Sequence, residues 1–273
     1  MLFSFITGAT AFLSGFLWKR LGLSWLMLPV VAVGIYLGLM ILAFLFLCIL
    51  CARVDLSKPQ EHDDPFYRKV MYVYVEALMS LVLVRLHTKG LEKTPKEGRF
   101  LLVCNHQHEA DPGILLHAFK NSQLAFISKQ ENANMFVVGK MMHKTMCQLL
   151  NRENDREALK TILKCIQLIK DDEVSICAFP EGGIKEVGKL AHFRSGVFKI
   201  AQKAEVPIVV CTLRNTADIL PNAAKLKHTD VYLHLLDVIP AEDLKGRTTV
   251  DVAEQVYGMM LADLGESFRP EEA

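Results

Sequence analysis

The N-terminal part of this chain contains 32 consecutive residues without a charged side chain, from Leu21 to Ala52. A continuous helix of that length would measure about 48 Å, whereas the hydrocarbon core of a bilayer is about 30 Å thick. Because Pro29 lacks the amide hydrogen that a continuing helix needs, we expect a break there and a spanning helix over Val30–Ala52. The stretch predicts a membrane-bound protein and disfavours a wholly soluble one.

The residues before this stretch are also apolar, and Lys19 and Arg20 are the only charged side chains before Arg53. We therefore assign residues 1–52 to a membrane-anchoring segment, which is either one span or, as we prefer, a two-helix hairpin. Basic residues mark the cytoplasmic side of a span, and those that follow this segment are Arg53, Lys58, Arg68 and Lys69. We expect an integral protein of the cell membrane whose body faces the cytoplasm.

The remainder of the chain has the composition of an ordinary globular domain. All 30 acidic residues and all but two of the 31 basic residues lie beyond Ala52. This near balance offers no electrostatic basis for a nucleic-acid partner. The seven cysteines are odd in number, and several lie in apolar runs, which indicates small core residues in a reducing compartment rather than disulfides.

After Gly90, short apolar runs of strand length alternate with segments in which apolar residues recur at helical spacing. The strongest helix prediction is Glu157–Lys170, and a last helix is predicted at Val250–Leu264. The alternation predicts an α/β fold with a mainly parallel mixed sheet flanked by helices. The predicted strands are residues 99–104, 124–128, 147–150, 174–179, 207–213 and 231–236.

Residues 53–65 contain two prolines and several charges, which is typical of a linker. We assign residues 66–273 to a single globular domain that follows it. The first part of this domain, Phe66–Leu86, reads as one more apolar helix. Since Glu76 lies in its middle, we expect this helix to lie in the membrane interface or to pack on the body rather than to span.

A polar loop with two histidines follows the predicted strand at residues 99–104. Four residues separate His106 from Asp111, a spacing that lets the carboxylate reach one ring nitrogen and leaves the other free to act as a base. The spacing alone is common, and taken by itself it favours a solvated turn in which Asp111 caps the next helix. A metal site at His106, His108 and Glu109 is a weaker alternative, because no second cluster supplies further ligands, and we predict no bound metal.

A glycine turn follows the predicted strand at residues 174–179, with the sequence Pro180-Glu181-Gly182-Gly183. Glycines at such a point let backbone amides approach an anion or an oxyanion closely. Basic side chains follow several strands in the same way: Lys129, Arg152, Lys185 and Arg194. If the strands are parallel, their carboxyl ends share one edge, and these cations come together near His106 as a phosphate-binding pocket.

These motifs occur in an order that resembles the glycerolipid acyltransferase family, and in particular the lysophosphatidate acyltransferases. The resemblance covers residues 66–215, and the spacing of its parts makes it specific. The matching segments are Asn105-His106-x4-Asp111, Lys129-x-Glu131 with Gly139, Asn151-Arg152, Phe179-Pro180-Glu181-Gly182, Phe193-Arg194-Ser195-Gly196 and Val206-Pro207-Ile208.

The resemblance implies a role for each matching residue. His106 would be the base that deprotonates the acceptor hydroxyl, and Asp111 would orient it. Glu181 and Gly182 would bind the acceptor, and Lys129 and Arg152 would contact its phosphate. The family implies acyl-CoA or acyl-carrier protein as donor, a lysophospholipid acceptor in the bilayer, and no cofactor or covalent acyl-enzyme.

One departure from the family bears on the acceptor. The family often has an arginine where this chain has Ile184, and Lys185 follows it instead. Lysine lacks the bidentate geometry of arginine, which leaves other acceptors open, such as glycerol-3-phosphate or another lysophospholipid. Two hypotheses of other classes are a membrane-anchored metal hydrolase and a lipid-binding protein without catalytic activity.

Overall fold

The computed structural model describes residues 2–151 and 154–270, so the predicted binding residue Arg152 lies outside the described residues. Within these ranges the chain forms nine α-helices and seven strands. The helices are α1 (Leu2–Leu21), α2 (Leu28–Ala52), α3 (Pro65–Leu81), α4 (Asp111–Ala118), α5 (Phe136–Lys144), α6 (Asp155–Lys170), α7 (Lys199–Ala204), α8 (Ile219–Ala223) and α9 (Thr249–Leu264). The strands are β1 (Val84–Lys89), β2 (Leu101–Cys104), β3 (Leu124–Lys129), β4 (Gln148–Leu150), β5 (Ser175–Ala178), β6 (Ile208–Arg214) and β7 (Thr229–Ile239).

The seven strands form one mixed sheet in the order β1-β7-β6-β2-β5-β3-β4. The five strands from β6 to β4 run parallel to one another, whereas β7 pairs antiparallel with β6 and parallel with β1. This architecture confirms the predicted α/β fold with its mainly parallel mixed sheet. All six predicted strands are present, with ends that differ by a few residues.

The seventh strand, β1, was not predicted, because the sequence reads as one helix from Phe66 to Leu86. That prediction was wrong at its C-terminal end, where α3 stops at Leu81. Leu83 has a φ of 56°, in the left-handed region, which ends the helix and turns the chain into the sheet. Neither glycine nor proline marks the turn, so the apolar pattern gave no warning of it.

The core lies in two layers on either side of the sheet. Helices α6, α7 and α9 cover one face, and α3, α4 and α8 cover the other. Strands β2 and β5 are buried along their whole length, which is the usual state of a parallel strand covered on both faces. All seven cysteines are free thiols, in agreement with the absence of a predicted disulfide framework.

The two N-terminal helices are long and apolar enough to cross a membrane, and they pack on each other. Residues 22–27 join them, and Gly22 has a φ of 62° at the end of α1. The break therefore comes before Pro29, which lies within the first turn of α2. Proline is tolerated there because an amide in the first turn has no intrahelical partner. The two helices form a helical hairpin, and the membrane-anchoring role of residues 1–52 stays a prediction.

The hairpin is attached to the body through α3. The Tyr74 hydroxyl donates to the carbonyl of Ala43 at 2.6 Å, and the Tyr67 hydroxyl donates to that of Leu50 at 3.1 Å. Leu47 and Cys51 of α2 are buried against α3 and α5. The last ten residues of α2 thus lie against the body, and Leu28–Leu42 extends beyond it by about 22 Å.

The predicted linker is held to the body by a buried ion pair. Both oxygens of Asp63 accept from Arg68 at 2.6 Å, and each side chain is at most 5% exposed. The same guanidinium donates to the carbonyls of Leu124 and Thr145. Arg68 was predicted to mark the cytoplasmic membrane side, but it is instead the contact that joins the linker, α3 and the sheet.

We predict that Arg68→Ala lowers the free energy of unfolding by about 3–5 kcal/mol, since it leaves the buried Asp63 carboxylate unpaired. The measurement is denaturant unfolding of the full chain in detergent. Lys69→Ala, at the exposed neighbouring position, is the control and should change stability by less than about 0.5 kcal/mol. Equal stabilities of the two variants would contradict the structural role of the pair.

Candidate functional site

The candidate site lies at the carboxyl edge of the parallel strands. β2 leads into Asn105 and His106, the neighbouring strand β5 leads into Phe179, and β3 ends at Lys129. Because these strands are parallel, their ends lie at one edge of the sheet, where open α/β folds place their sites. Asn105 fixes this edge: its amide accepts from the backbone N–H of Leu213 at 2.7 Å and donates to the same residue's carbonyl at 2.9 Å.

His106 and Asp111 form a hydrogen-bonded pair. The Nδ1 atom of His106 lies 2.8 Å from Oδ2 of Asp111, and the carboxylate is fully buried. The imidazole is 16% exposed, so Nε2 remains the nitrogen available to a substrate. This geometry agrees with the spacing argument, and the catalytic roles of the two residues stay a prediction.

Asp111 also holds the loop that carries His106. Its Oδ2 atom accepts from the backbone N–H of Gln107 at 2.7 Å and from that of His108 at 2.9 Å. Asp111 is the first residue of α4, where a negative charge is stabilised by the helix dipole. The alternative interpretation, a solvated turn with Asp111 as cap, is wrong because the carboxylate is buried and directed at the loop.

The metal alternative finds no support in the geometry. The Nδ1 atom of His108 accepts from the backbone N–H of Ala110 at 3.2 Å, so the two histidines of the motif have different partners. Among residues 2–151 and 154–270, no three His, Cys, Asp or Glu side chains are grouped in a way that could hold a metal ion.

An aromatic stack supports the imidazole. The rings of His106 and Phe179 lie 4.0 Å apart at an angle of 14°, and Phe126 stacks behind Phe179 at 6.2 Å. His106 follows β2, Phe179 follows β5 and Phe126 lies in β3, and the order of these strands in the sheet brings the three rings together. The stack limits rotation of the imidazole and contributes about 0.5–1.5 kcal/mol beyond its buried area.

Glu181 is a second buried carboxyl group beside the imidazole. Its Oε1 atom accepts from the backbone N–H of His106 at 2.6 Å, and its Oε2 atom accepts from that of Ala191 at 2.9 Å. Burial, assisted by the nearby Asp111, raises the pKa of Glu181 to about 7 against the two hydrogen bonds. Glu181 therefore joins the loops after β2 and β5, a contact that its motif alone does not predict.

The glycine turn is shaped by close contact with Arg194. Gly182 has a φ of 73°, and a methyl group on its Cα would lie 2.9 Å from Nε of Arg194. The Gly182 amide donates to the carbonyl of Phe179 at 3.0 Å, so it is not available for an anion. Of the two predicted cradle amides, that of Gly183 has no acceptor among the described residues.

The predicted cations occupy different positions around this edge. The backbone of Arg194 donates to the carbonyl of Pro180 at 2.8 Å, which places it directly beside the glycine turn. Lys129 is exposed at the end of β3, and Lys185 is exposed two residues after Gly183. Their convergence on a phosphate stays a prediction, as does any role of Arg152.

Sequence reasoning missed Gln107. This side chain is buried, accepts from the Gly188 amide at 2.7 Å and donates to the carbonyl of Lys189 at 3.3 Å. It ties the loop after the glycine turn to the histidine motif. No spacing rule indicates such a contact, because the two segments lie about 80 residues apart in sequence and meet only through the sheet.

Two cavities lie outside the histidine motif. One of about 510 Å³ lies between the linker, α5, β4 and α6, and one of about 450 Å³ lies over β1, β6 and β7 beside α9. Neither is lined by His106.

The fold and site define an α/β protein with a histidine–aspartate pair at the carboxyl edge of its sheet, joined to an apolar helical hairpin. Comparison with known proteins is specific. Residues 85–214 match the family model described as Acyltransferase. A probable 1-acyl-sn-glycerol-3-phosphate acyltransferase of Mycoplasma pneumoniae is 28% identical over 64% of this chain and 66% of its own length. A chloroplast 1-acyl-sn-glycerol-3-phosphate acyltransferase of Brassica napus is 30% identical over 60% and 49%.

These matches support the glycerolipid acyltransferase family that the motifs of the chain resemble. The chain spans less than two thirds of the length of these two relatives. The crystal structure of the 1-acyl-sn-glycerophosphate acyltransferase PlsC from Thermotoga maritima has the same fold, with a TM-score of 0.61 and 20% identity over 76% of this chain and 81% of that one.

Glu181 generates a prediction on pH and stability. Between its ordinary pKa of 4.5 and the folded value of about 7, the unfolded chain has released this proton while the folded chain retains it. The stability of the wild type should therefore fall as pH rises through this window, by about 3 kcal/mol for this shift. Glu181→Gln should remove that part of the pH dependence in unfolding experiments at pH 5 and pH 8.

Glu186→Gln, at an exposed position of the same loop, serves as the matched control and should keep the wild-type pH dependence. If wild type and Glu181→Gln lost stability in parallel between the two pH values, Glu181 would have an ordinary pKa.

Proposed function

We propose that this chain transfers an acyl group from acyl-CoA or acyl-carrier protein to the free hydroxyl of lysophosphatidate, forming phosphatidate. The observation that carries the proposal is the 2.8 Å contact between His106 Nδ1 and the buried Asp111 carboxylate, which leaves Nε2 for the acceptor. The match to the Acyltransferase family model and the names of the relatives support this choice of reaction and acceptor.

The chemical step needs one base. Nε2 of His106 takes the hydroxyl proton while the hydroxyl oxygen attacks the thioester carbonyl, and an ester C–O bond forms. The C–S bond then breaks, and the thiolate takes the proton from the imidazolium. Asp111 stabilises that transient positive charge, and its bond to Nδ1 keeps the tautomer in which Nε2 accepts a proton.

The oxyanion of the tetrahedral intermediate needs a hydrogen-bond donor at the same edge. The amide of Gly183 suits this role, because it lies in the turn after β5 and donates to no described residue. Glu181 positions His106 through the backbone and holds the loop that follows the turn. We assign Glu181 to positioning rather than to direct contact with the acceptor.

The acceptor phosphate would bind to the cations around the glycine turn. Arg194 is the best placed, since its guanidinium lies against Gly182. It offers the bidentate donors of the arginine that the family often has at the position of Ile184. Lys129 and Lys185 add positive charge at exposed positions, and Arg152 completes the set in the family pattern. A preference for another phosphorylated acceptor is the second candidate, favoured by the same departure at Ile184.

The apolar hairpin would bring this site to its lipid substrates. The part of α2 beyond the body extends about 22 Å, and α3 lies alongside its other end. An interfacial position of α3 would then place the hairpin in the hydrocarbon core, with the body on the cytoplasmic side of the cell membrane.

We predict that His106→Ala lowers phosphatidate formation by about 10²- to 10⁴-fold, the usual contribution of a general base. Asp111→Asn should also reduce the rate strongly, because a neutral amide cannot stabilise the imidazolium. The assay supplies labelled acyl-CoA and lysophosphatidate to membranes that contain each variant, with labelled acyl-carrier protein in parallel.

His228→Ala, at an exposed position far along the chain, is the control and should retain wild-type activity. Full acyl transfer by His106→Ala would refute the proposed base. A panel of acceptors with and without a phosphate tests the cation pocket, and equal rates on both would contradict it.

We also predict that Leu37→Lys, on the exposed surface of α2, weakens membrane association by about 3 kcal/mol, since a lysine in the hydrocarbon core is costly. The measurement is the fraction of protein that stays with membranes after an alkaline carbonate wash. Leu226→Lys places the same charge on the most exposed leucine of the body and should have no effect. Identical retention of both variants would argue against insertion of the hairpin.

A further inference from the structure

The sheet has a second polar surface that the proposed reaction does not use. Helix α9 covers β6 and the adjacent part of β7, but the outer part of β7 and the edge strand β1 remain open beside it. A groove of about 450 Å³ lies there, within the range of small-molecule sites. Alternate residues of β7 point into it, and their neighbours face the core.

The pairing of β6, β7 and β1 places the side chains of the groove in two rows across the sheet. One row is Thr212, His234 and Lys89, and the next is Arg214, Tyr232 and His87. Four of these six side chains carry a positive charge or can acquire one. Lys89 is exposed and forms no ion pair with any described residue.

A partly buried network of hydrogen bonds fixes the inner wall of the groove. Asp263 of α9 accepts from the Thr212 hydroxyl at 2.6 Å, lies 2.7 Å from Nδ1 of His234 and contacts Arg214. Although burial acts in the opposite direction, these bonds hold the pKa of Asp263 below its usual value. The carboxylate thereby orients His234 and Arg214, and Nε2 of His234 has no hydrogen-bond partner among the described residues.

An aromatic pair lies beside these cations. The rings of Tyr232 and His87 stack at 5.0 Å and 20°, and about half of each side chain is exposed. A planar apolar surface next to several phosphate-binding donors is the combination that recognises a nucleotide, whose base stacks while its phosphates pair with lysine and arginine.

The groove adjoins the candidate active site. Asn105, next to His106, is bonded to the backbone of Leu213, and the following residue, Arg214, lines the groove. Their strands, β2 and β6, are neighbours at the same sheet edge.

We infer that this groove binds a phosphorylated nucleotide, namely the adenosine 3′,5′-bisphosphate end of a CoA thioester. The inference rests on the proposed acyl transfer and deepens it, because it selects acyl-CoA over acyl-carrier protein as the donor. Lys89 and Arg214 bind the phosphates, and Tyr232 with His87 contacts the base.

Calorimetric titration of the full chain in detergent with adenosine 3′,5′-bisphosphate tests the inference without any turnover. We expect saturable binding to the wild type, weakened about tenfold by Lys89→Ala and by Tyr232→Leu. Lys225→Ala, an exposed lysine outside the groove, is the control and should bind as the wild type does. Absence of binding, unchanged binding by both groove variants, or equal binding of pyrophosphate would overturn the inference.

Kinetics separate this inference from the proposed function. Lys89→Ala should raise KM for acyl-CoA about tenfold more than it changes KM for lysophosphatidate. If phosphatidate forms but the bisphosphate does not bind, the groove assignment fails and the proposed reaction stands. If the bisphosphate binds in the predicted way but no phosphatidate forms, the proposed reaction fails and the nucleotide site stands.

Discussion

The candidate site depends on a carboxylate that is buried at the end of a parallel strand. Asp111 accepts from the imidazole of His106 and from two backbone amides of the same loop. Its Oδ2 atom therefore holds both the imidazole and the loop that carries it. A buried charge needs such compensation, which here comes from three donors on Oδ2 and from the dipole at the start of α4, while Oδ1 is buried without a hydrogen-bond partner among the described residues. The polar loop, the helix that follows it and the open Nε2 atom all follow from this arrangement.

Glu181 extends the same principle across the sheet. Its carboxyl group accepts from the backbone N–H of His106, which follows β2, and from that of Ala191 in the loop after β5. Glu181 thereby joins two motifs that are about 75 residues apart in sequence. Burial of Glu181, with a smaller contribution from the nearby Asp111, raises the pKa of its carboxyl group.

The fold could be predicted where a single spacing of apolar residues extended over a whole helix or strand. The alternation of short apolar runs with helical patterns predicted six of the seven strands and the mainly parallel sheet. The apolar residues 1–52 indicated a helical hairpin. The failure at β1 has a clear physical cause: Leu83 turns the chain in a left-handed conformation that no glycine or proline announces. The position of Arg68 differs from its prediction for a related reason. A basic residue beside a membrane segment is expected to be exposed, and the sequence does not indicate its buried partner, Asp63.

The sequence by itself indicated the family that the chain resembles, since its motifs, among them those with His106, Asp111 and Glu181, occur in a characteristic order and spacing. Local spacing also determined the His106–Asp111 contact, because both residues belong to one loop. Only the tertiary structure decided that Glu181 holds His106, that Gln107 fastens the neighbouring loop, and that a polar groove opens beside α9. Those contacts join residues from separate strands, and their partners are set by sheet order and register, which no local pattern encodes.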